Sequence, residues 1–404
     1  MLTARARLLR RSYVANLAAV SGNLMAHASV LAALLAVSAC TVNQARPPAQ
    51  RAEPPAPYPH SKLVWSVTWN FATVWSHRKA HGSDLWPCAW AADDDLYCAW
   101  GDGGGFDGDD DRIGRVSLGF ARLSGTPREA DPDSFSGKNI WGEPPYAEAS
   151  ATFGGKVGSM IALDGVLYAL GGFWTPDNAR DPAHTSGRGP LNTIAWSADG
   201  AKNWHVAAWS SAAPLGSFLD AGKEPVGAAP DTLLMYYLRA ADSRHVYLKR
   251  VRTGSLRGDP ATAQGSEYFR GTRHGGREAL WSLHEQDAVP IFTDDNHVEG
   301  PSVVFDAGLG RYLLTAGHYA SGNDDDSSAG QVGLFESPHP WGPWATIGYY
   351  ENWGNLKADT AGDFLSLRLP SKWLSADGTA VWAVFSGPRA FDSFNVVRGK
   401  LTLR

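Results

Sequence analysis

Cysteine is scarce in this chain: 404 residues carry three, Cys40, Cys88 and Cys98. Two or three scattered thiols are a poor metal set, and no zinc motif surrounds them. Long helical periodicity is nearly missing, which weighs against bundles and other helix-built folds. There is no phosphate loop, no dinucleotide fingerprint and no nucleophile elbow, so the commonest nucleotide-dependent and serine-hydrolase chemistries are excluded. The apolar run Val30–Val37 is too short to span a bilayer. Positive charge is also short: the net formal charge is −5, and no basic patch marks a nucleic-acid or anionic-lipid surface.

Glycine (44), proline (25) and tryptophan (17) are what the chain has in plenty. Many short strands joined by Gly-rich turns point to an all-β barrel, sandwich or propeller. The N-terminus reads as an export signal over residues 1–39: Arg5, Arg7, Arg10 and Arg11 precede the apolar run, with no acid among them. Val37-Ser38-Ala39-Cys40 then resembles a lipoprotein box, in which Cys40 is acylated and becomes the new terminus. Residues 40–62 are Pro/Ala-rich and read as a tether. The expectation is an exported monomer held to a bacterial membrane by lipid alone, with residues 63–404 as its folded domain. Cys88 and Cys98 are left as an even pair in an oxidising compartment.

One pattern recurs: an apolar strand, an Asp/Gly turn, and an aromatic strand ending in Gly. It occurs around Tyr97 (WAADDDLYCAWGDG), Tyr168 (MIALDGVLYALGG), Tyr312 (VVFDAGLGRYLLTAGH) and Trp382 (KWLSADGTAVWAVFSG), with a looser copy around Met235. A spacing of about 70 residues, each unit holding four strands, predicts a five-bladed β-propeller. The early strand within 64–75 is expected to complete the last blade. Innermost strands would then start around one funnel, where Asp84, Lys156, Asp220, Glu299 and Asp363 fall; Asp102 and His318 return to the same end.

The stretch 83–106, SDLWPCAWAADDDLYCAWGDGGGF, concentrates this chemistry. Read as a hairpin centred on Asp93, it sets Cys88 opposite Cys98 and Asp84 opposite Asp102. Opposed side chains on one face lie about 4.5–5.5 Å apart at Cβ. A disulfide and a pair of facing carboxylates are therefore expected, one acid keeping its proton while the other loses it. Loop aspartates also commonly cap turns, which is the plainer alternative. Gly103–Gly105 would let backbone approach a ligand. Glu299, in HVEGP, is a further candidate acid. Trp86 and Trp100, with Trp141, Trp174 and Trp353, offer faces for sugar rings, or else core packing. Lys156, Asp220 and His318 are expected to contact substrate. No cofactor is required; Asp107–Asp111 and Asn323–Asp326 are weak calcium candidates of no recognised loop spacing. Ser197–Trp204 (SADGAKNW) looks like a degenerate Asp-box turn, a structural hairpin device.

The residues GSDLW (82–86), Trp90-Ala91, Leu96-Tyr97 and Trp100-Gly101-Asp102 together resemble the bacterial domain-of-unknown-function 4185 family. Some members of that family are endo-acting D-arabinofuranases. The resemblance implies a five-bladed propeller and an inverting glycoside hydrolase acting on an arabinan-like polysaccharide, with Asp84 and Asp102 as its acid/base pair. The Glu299-Gly300-Pro301 segment is instead similar to the acid-bearing motif of family 43 propeller glycosidases, which leaves Asp102 and Glu299 as alternative partners of Asp84. Two other classes stay open: a non-catalytic glycan-binding lipoprotein, and a polysaccharide lyase with His318 as its base.

Overall fold

The computed structural model describes residues 55–108, 112–174, 191–211, 216–223, 231–239, 242–258, 265–318, 330–356, 366–387 and 392–404. Cys40, the signal and most of the tether lie outside them, as do Asp109–Asp111, Asn323–Asp326 and Asp363. Among the described residues the fold is all-β, with only short helical turns between strands. No described helix is long and apolar enough to cross a membrane.

The strands form antiparallel meanders. A first sheet runs Cys88–Trp90, Leu96–Gly101, Leu118–Gly125 and Phe135–Gly142, with Ala149–Ser150 added in parallel at its edge. A second runs Gly154–Leu163, Val166–Trp174, Leu191–Ser197 and His205–Val206. A wide sheet of ten strands joins two meanders through one parallel pairing, Leu219 and Asp220 against Val303 and Val304. The closing sheet places Ser366–Arg368, Ala380–Ser386 and Asn395–Leu403 beside the early strand Val64–Asn70, which pairs antiparallel with the last strand. The early strand therefore does complete the final sheet.

Turn chemistry explains the tight hairpins. Asp164 (φ 48°) and Gly165 (φ 74°) supply the two left-handed residues that a short hairpin between twisted strands requires. In the Ser197–Trp204 turn, Asp199 Oδ1 accepts from the Ser197 hydroxyl and Asn203 N, both at 2.9 Å. The same turn lays Trp204 flat on Phe120, centroids 3.8 Å apart. It is the structural device its sequence announced.

Apolar side chains, continuous along buried strands such as Ala380–Ser386, fill the seams between neighbouring sheets. Phe120 and Trp141 meet Val157 and Phe173 between the first and second sheets. Leu170 and Ile194 meet Phe218 and Met235 where the second sheet joins the wide one. Tyr236 and Leu248 meet Val303 and Leu314 inside the wide sheet. Leu313 and Leu334 meet Val381 and Phe385 at the closing sheet. Trp86 and Trp100 meet Trp382 and Phe394, which returns the circuit to the first sheet. Each fully buried large side chain contributes roughly 1.5–3 kcal/mol, so these seams supply most of the cohesion. A cavity of about 30 Å³ lies where inner strands converge: Pro87, Gly158, Phe218, Ser302 and Leu369 all line it.

Candidate active site

The hairpin forms as its alternation dictates, up to a point. Cys88 pairs with Cys98 and Trp90 with Leu96, and the two cysteines are disulfide-bonded with Cα atoms 4.0 Å apart. At the turn, Asp93 accepts from Asp95 N (3.1 Å) and from the Tyr97 hydroxyl (2.8 Å). Beyond Pro87 the register slips by one. Leu85 and Trp86 take left-handed backbone (φ 74° and 51°), and Asp84 pairs with Gly101 instead of Asp102, by two bonds of 2.8 and 3.0 Å. The bulge persists because its polar groups find partners on the closing sheet: Leu85 N donates to Ser386 Oγ (2.9 Å) and Leu85 O accepts from Ser366 Oγ (2.7 Å). Mirror placement of the two aspartates is thus corrected. Asp102 lies one residue past the pairing, itself left-handed (φ 49°), and turns off the strand.

The two carboxylates still meet, through a cation. Lys156, on the inner strand of the second sheet, brings Nζ to 2.8 Å from Asp102 Oδ2 and 3.6 Å from Asp84 Oδ1. Arg115 stands 3.8 Å from Asp102 on the other oxygen. All four side chains remain a third to a half exposed, so the cluster opens to solvent. Asp84 Oδ1 is nonetheless sealed and lacks a hydrogen-bond partner among the described residues. Burial pushes the Asp84 pKa up to about 6; Lys156 opposes the shift, while the negative charges of Asp102 and Asp392 add to it. Asp84 therefore keeps its proton to higher pH than an ordinary carboxyl. Sequence reading missed Arg115 and Asp392. Arg115 had a signal, a base in the loop returning beside Asp102; Asp392 had none, since it arrives from the far end of the chain.

The glycine run serves the loop rather than a ligand. A Cβ at Gly103 (φ 66°) would strike Gly82 O and Ser83 Oγ, and one at Gly105 (φ 65°) would strike Asn139. Ser83 Oγ instead accepts from Gly105 N at 3.0 Å, and Asn139 Nδ2 donates to Gly104 O at 2.8 Å. Asp107 is also occupied: its Oδ2 accepts from Asn139 N at 2.7 Å. Among the described residues no group of three His, Cys, Asp or Glu could hold a metal.

Other candidates separate from this cluster. Trp86 and Trp100 are 0% and 1% exposed and stack on one another, so neither offers a face to sugar; Trp141 and Trp353 are equally buried. Only Trp174 of the five is partly open, pairing with Gly154 two residues before Lys156. Asp220 has both oxygens taken by backbone amides, from Ser371 (2.9 Å) and Gly222 (3.1 Å), which makes it a tie between the wide and closing sheets rather than a substrate ligand. His318 is 2% exposed, lies flat on Tyr349 at 3.8 Å, and is driven down to a pKa of about 4 by burial. It is packed, not presented. Glu299 begins its strand opposite Gly317 and is half-buried.

No family model matches the chain, and no curated protein matches its sequence. Solved structures do resemble it. One is a candidate hydrolase from Bacteroides ovatus ATCC 8483, 13% identical over 84% of this chain and 92% of that one, TM-score 0.49. Another is the catalytic domain of the GH62 α-L-arabinofuranosidase of Coprinopsis cinerea, 12% identical over 85% and 98%, TM-score 0.39. A third is the GH43_1 enzyme of Xanthomonas citri, 11% identical over 81% and 91%, TM-score 0.40. At TM-scores below 0.5 none of these likenesses fixes an activity for this chain.

Proposed function

We propose that the protein is a glycoside hydrolase that cuts furanosidic linkages of an arabinan-like polysaccharide, using Asp84 as general acid and Asp102 as general base. The observation that carries this reading is the shared ammonium of Lys156, 2.8 Å from Asp102 and 3.6 Å from Asp84, with Asp84 alone pushed up to about 6. Asp84 gives its proton to the leaving glycosidic oxygen as that bond breaks. Asp102 takes a proton from the water whose oxygen bonds to the anomeric carbon on the opposite face. Lys156 and Arg115 stand beside the Asp102 carboxylate and hold it in place for that role.

The scaffold of this reading is a five-bladed propeller, with the wide sheet counted as two blades. Five apolar seams and inner strands converging on one cavity support it. We further infer an exported chain anchored by lipid at Cys40. The lyase alternative loses its base, since His318 is buried against Tyr349. Incubation with arabinans, xylans and cell-wall polysaccharides, followed by reducing-end assay and anomer detection by NMR, tests the proposal. Asp84→Asn and Asp102→Asn are expected to lose about 10²–10⁴-fold in turnover while still binding glycan. No product from any polysaccharide would leave a glycan-binding protein in its place; full activity in both variants would move the chemistry to other residues.

A further inference from the structure

Arg368 is a buried cation that the acid pair does not use. It ends the inner strand Ser366–Arg368 of the closing sheet, is 8% exposed, and lines the cavity where the inner strands converge. Its Nε is sealed from water without a hydrogen-bond partner among the described residues. Burial alone acts on its pKa, pulling it down to about 10, so the guanidinium stays charged at neutral pH. Asp220 is the acid on the same wall, but its oxygens are committed to the amides of Ser371 and Gly222. A charge held largely out of water is costly for a core, and a counter-ion beside it lowers that cost.

We propose that the cavity beside Arg368 is a binding site for a small monovalent inorganic anion of chloride's size. The cavity, of about 30 Å³, takes a particle or two as large as water and is partly open to solvent. Its wall also carries hydroxyls at Ser159 and Ser302. Ser159 Oγ accepts from Phe218 N at 2.9 Å, which leaves its proton to donate inward. Guanidinium and hydroxyl donors facing one cavity favour a weakly hydrated anion. Bound there, the ion would tie the closing sheet to the second and the wide sheets. This site is independent of the hydrolytic reading.

Thermal unfolding of the whole protein in sodium chloride and in sodium gluconate, at matched ionic strength, tests it. Chloride is expected to raise Tm saturably by about 2–4 °C, because it binds the native state alone. Arg368→Met should lose that increment and, in gluconate, be at least as stable as the parent, its lone charge gone. Bromide soaked into crystals of the unaltered protein should give an anomalous peak beside the guanidinium, a readout that holds even if the variant fails to fold. Equal Tm in the two salts with no anomalous peak would overturn the proposal and leave water as the occupant.

Discussion

Gly101 and Asp84 face one another across a single bridge, exchanging both backbone hydrogen bonds, and the Asp84 carboxylate lies over the bare Cα of Gly101. A Cβ there would overlap both Asp84 Oδ1 and the Lys156 side chain. The absence of a side chain at position 101 is thus what lets acid and ammonium share one spot. Gly101→Ala is expected to displace the carboxylate, cutting kcat at least about 100-fold, with a stability loss of about 1–3 kcal/mol. Steady-state kinetics and urea unfolding of the variant decide; unchanged kcat would detach Asp84 from the chemistry.

Lys156 should set the pH at which the acid works. A general acid must be protonated, so kcat/KM is expected to fall as pH rises through about 6, where Asp84 ionises. Because Lys156 pulls that pKa down, Lys156→Met should move the alkaline limb to higher pH, whatever it does to the maximum rate. A limb that stays in place would assign the titration to another group.

Asp84 also makes a prediction about stability. Its pKa rises from 3.8 in the unfolded chain to about 6 in the folded one, so the native state binds the extra proton between those values. Stability contributed by this group therefore declines as pH climbs from about 4 to about 6 and is flat above. Asp84→Asn should stabilise the protein at pH 7.5 by about 1 kcal/mol, once solvent screening of a part-exposed group is allowed for. The advantage should vanish at pH 4. Urea titrations at the two pH values check the sign.

The Cys88–Cys98 bond closes a loop of sequence separation 10. In the chain-entropy account such a loop is worth about 2–3 kcal/mol. Replacing both cysteines by serine, or reducing the parent with dithiothreitol, should lower stability by that amount in urea unfolding. Parent and double variant should coincide under reductant; any remaining gap would mean the serines disturb packing as well.

What the sequence made legible was local and periodic. The facing of Cys88 and Cys98 follows from counting along two strands, and the recurring strand–turn–strand unit follows from its Asp/Gly turns and aromatic positions. Asp84 and Lys156 were found as residues at the starts of inner strands. The one-residue slip was not legible, because Leu85 and Trp86 are unremarkable residue types whose left-handed backbone depends on Ser366 and Ser386, far along the chain. Neither was the fate of the tryptophans. An indole near a predicted loop looks the same on paper whether it meets sugar or, as with Trp86 against Phe394 at 5.0 Å, a neighbouring sheet. Asp220 and His318 misled for a related reason: their partners are backbone amides and a stacked ring, which leave no trace in residue identity.

The strand Val64–Asn70 comes early in the chain, yet among the described residues its one ladder is with Asn395–Leu403, far later in sequence. Until the ribosome has delivered Asn395–Leu403, Val64–Asn70 presents a raw edge, the kind that recruits other chains into aggregates. Loss of a few C-terminal residues should therefore unlatch the protein as a whole instead of trimming one corner of it.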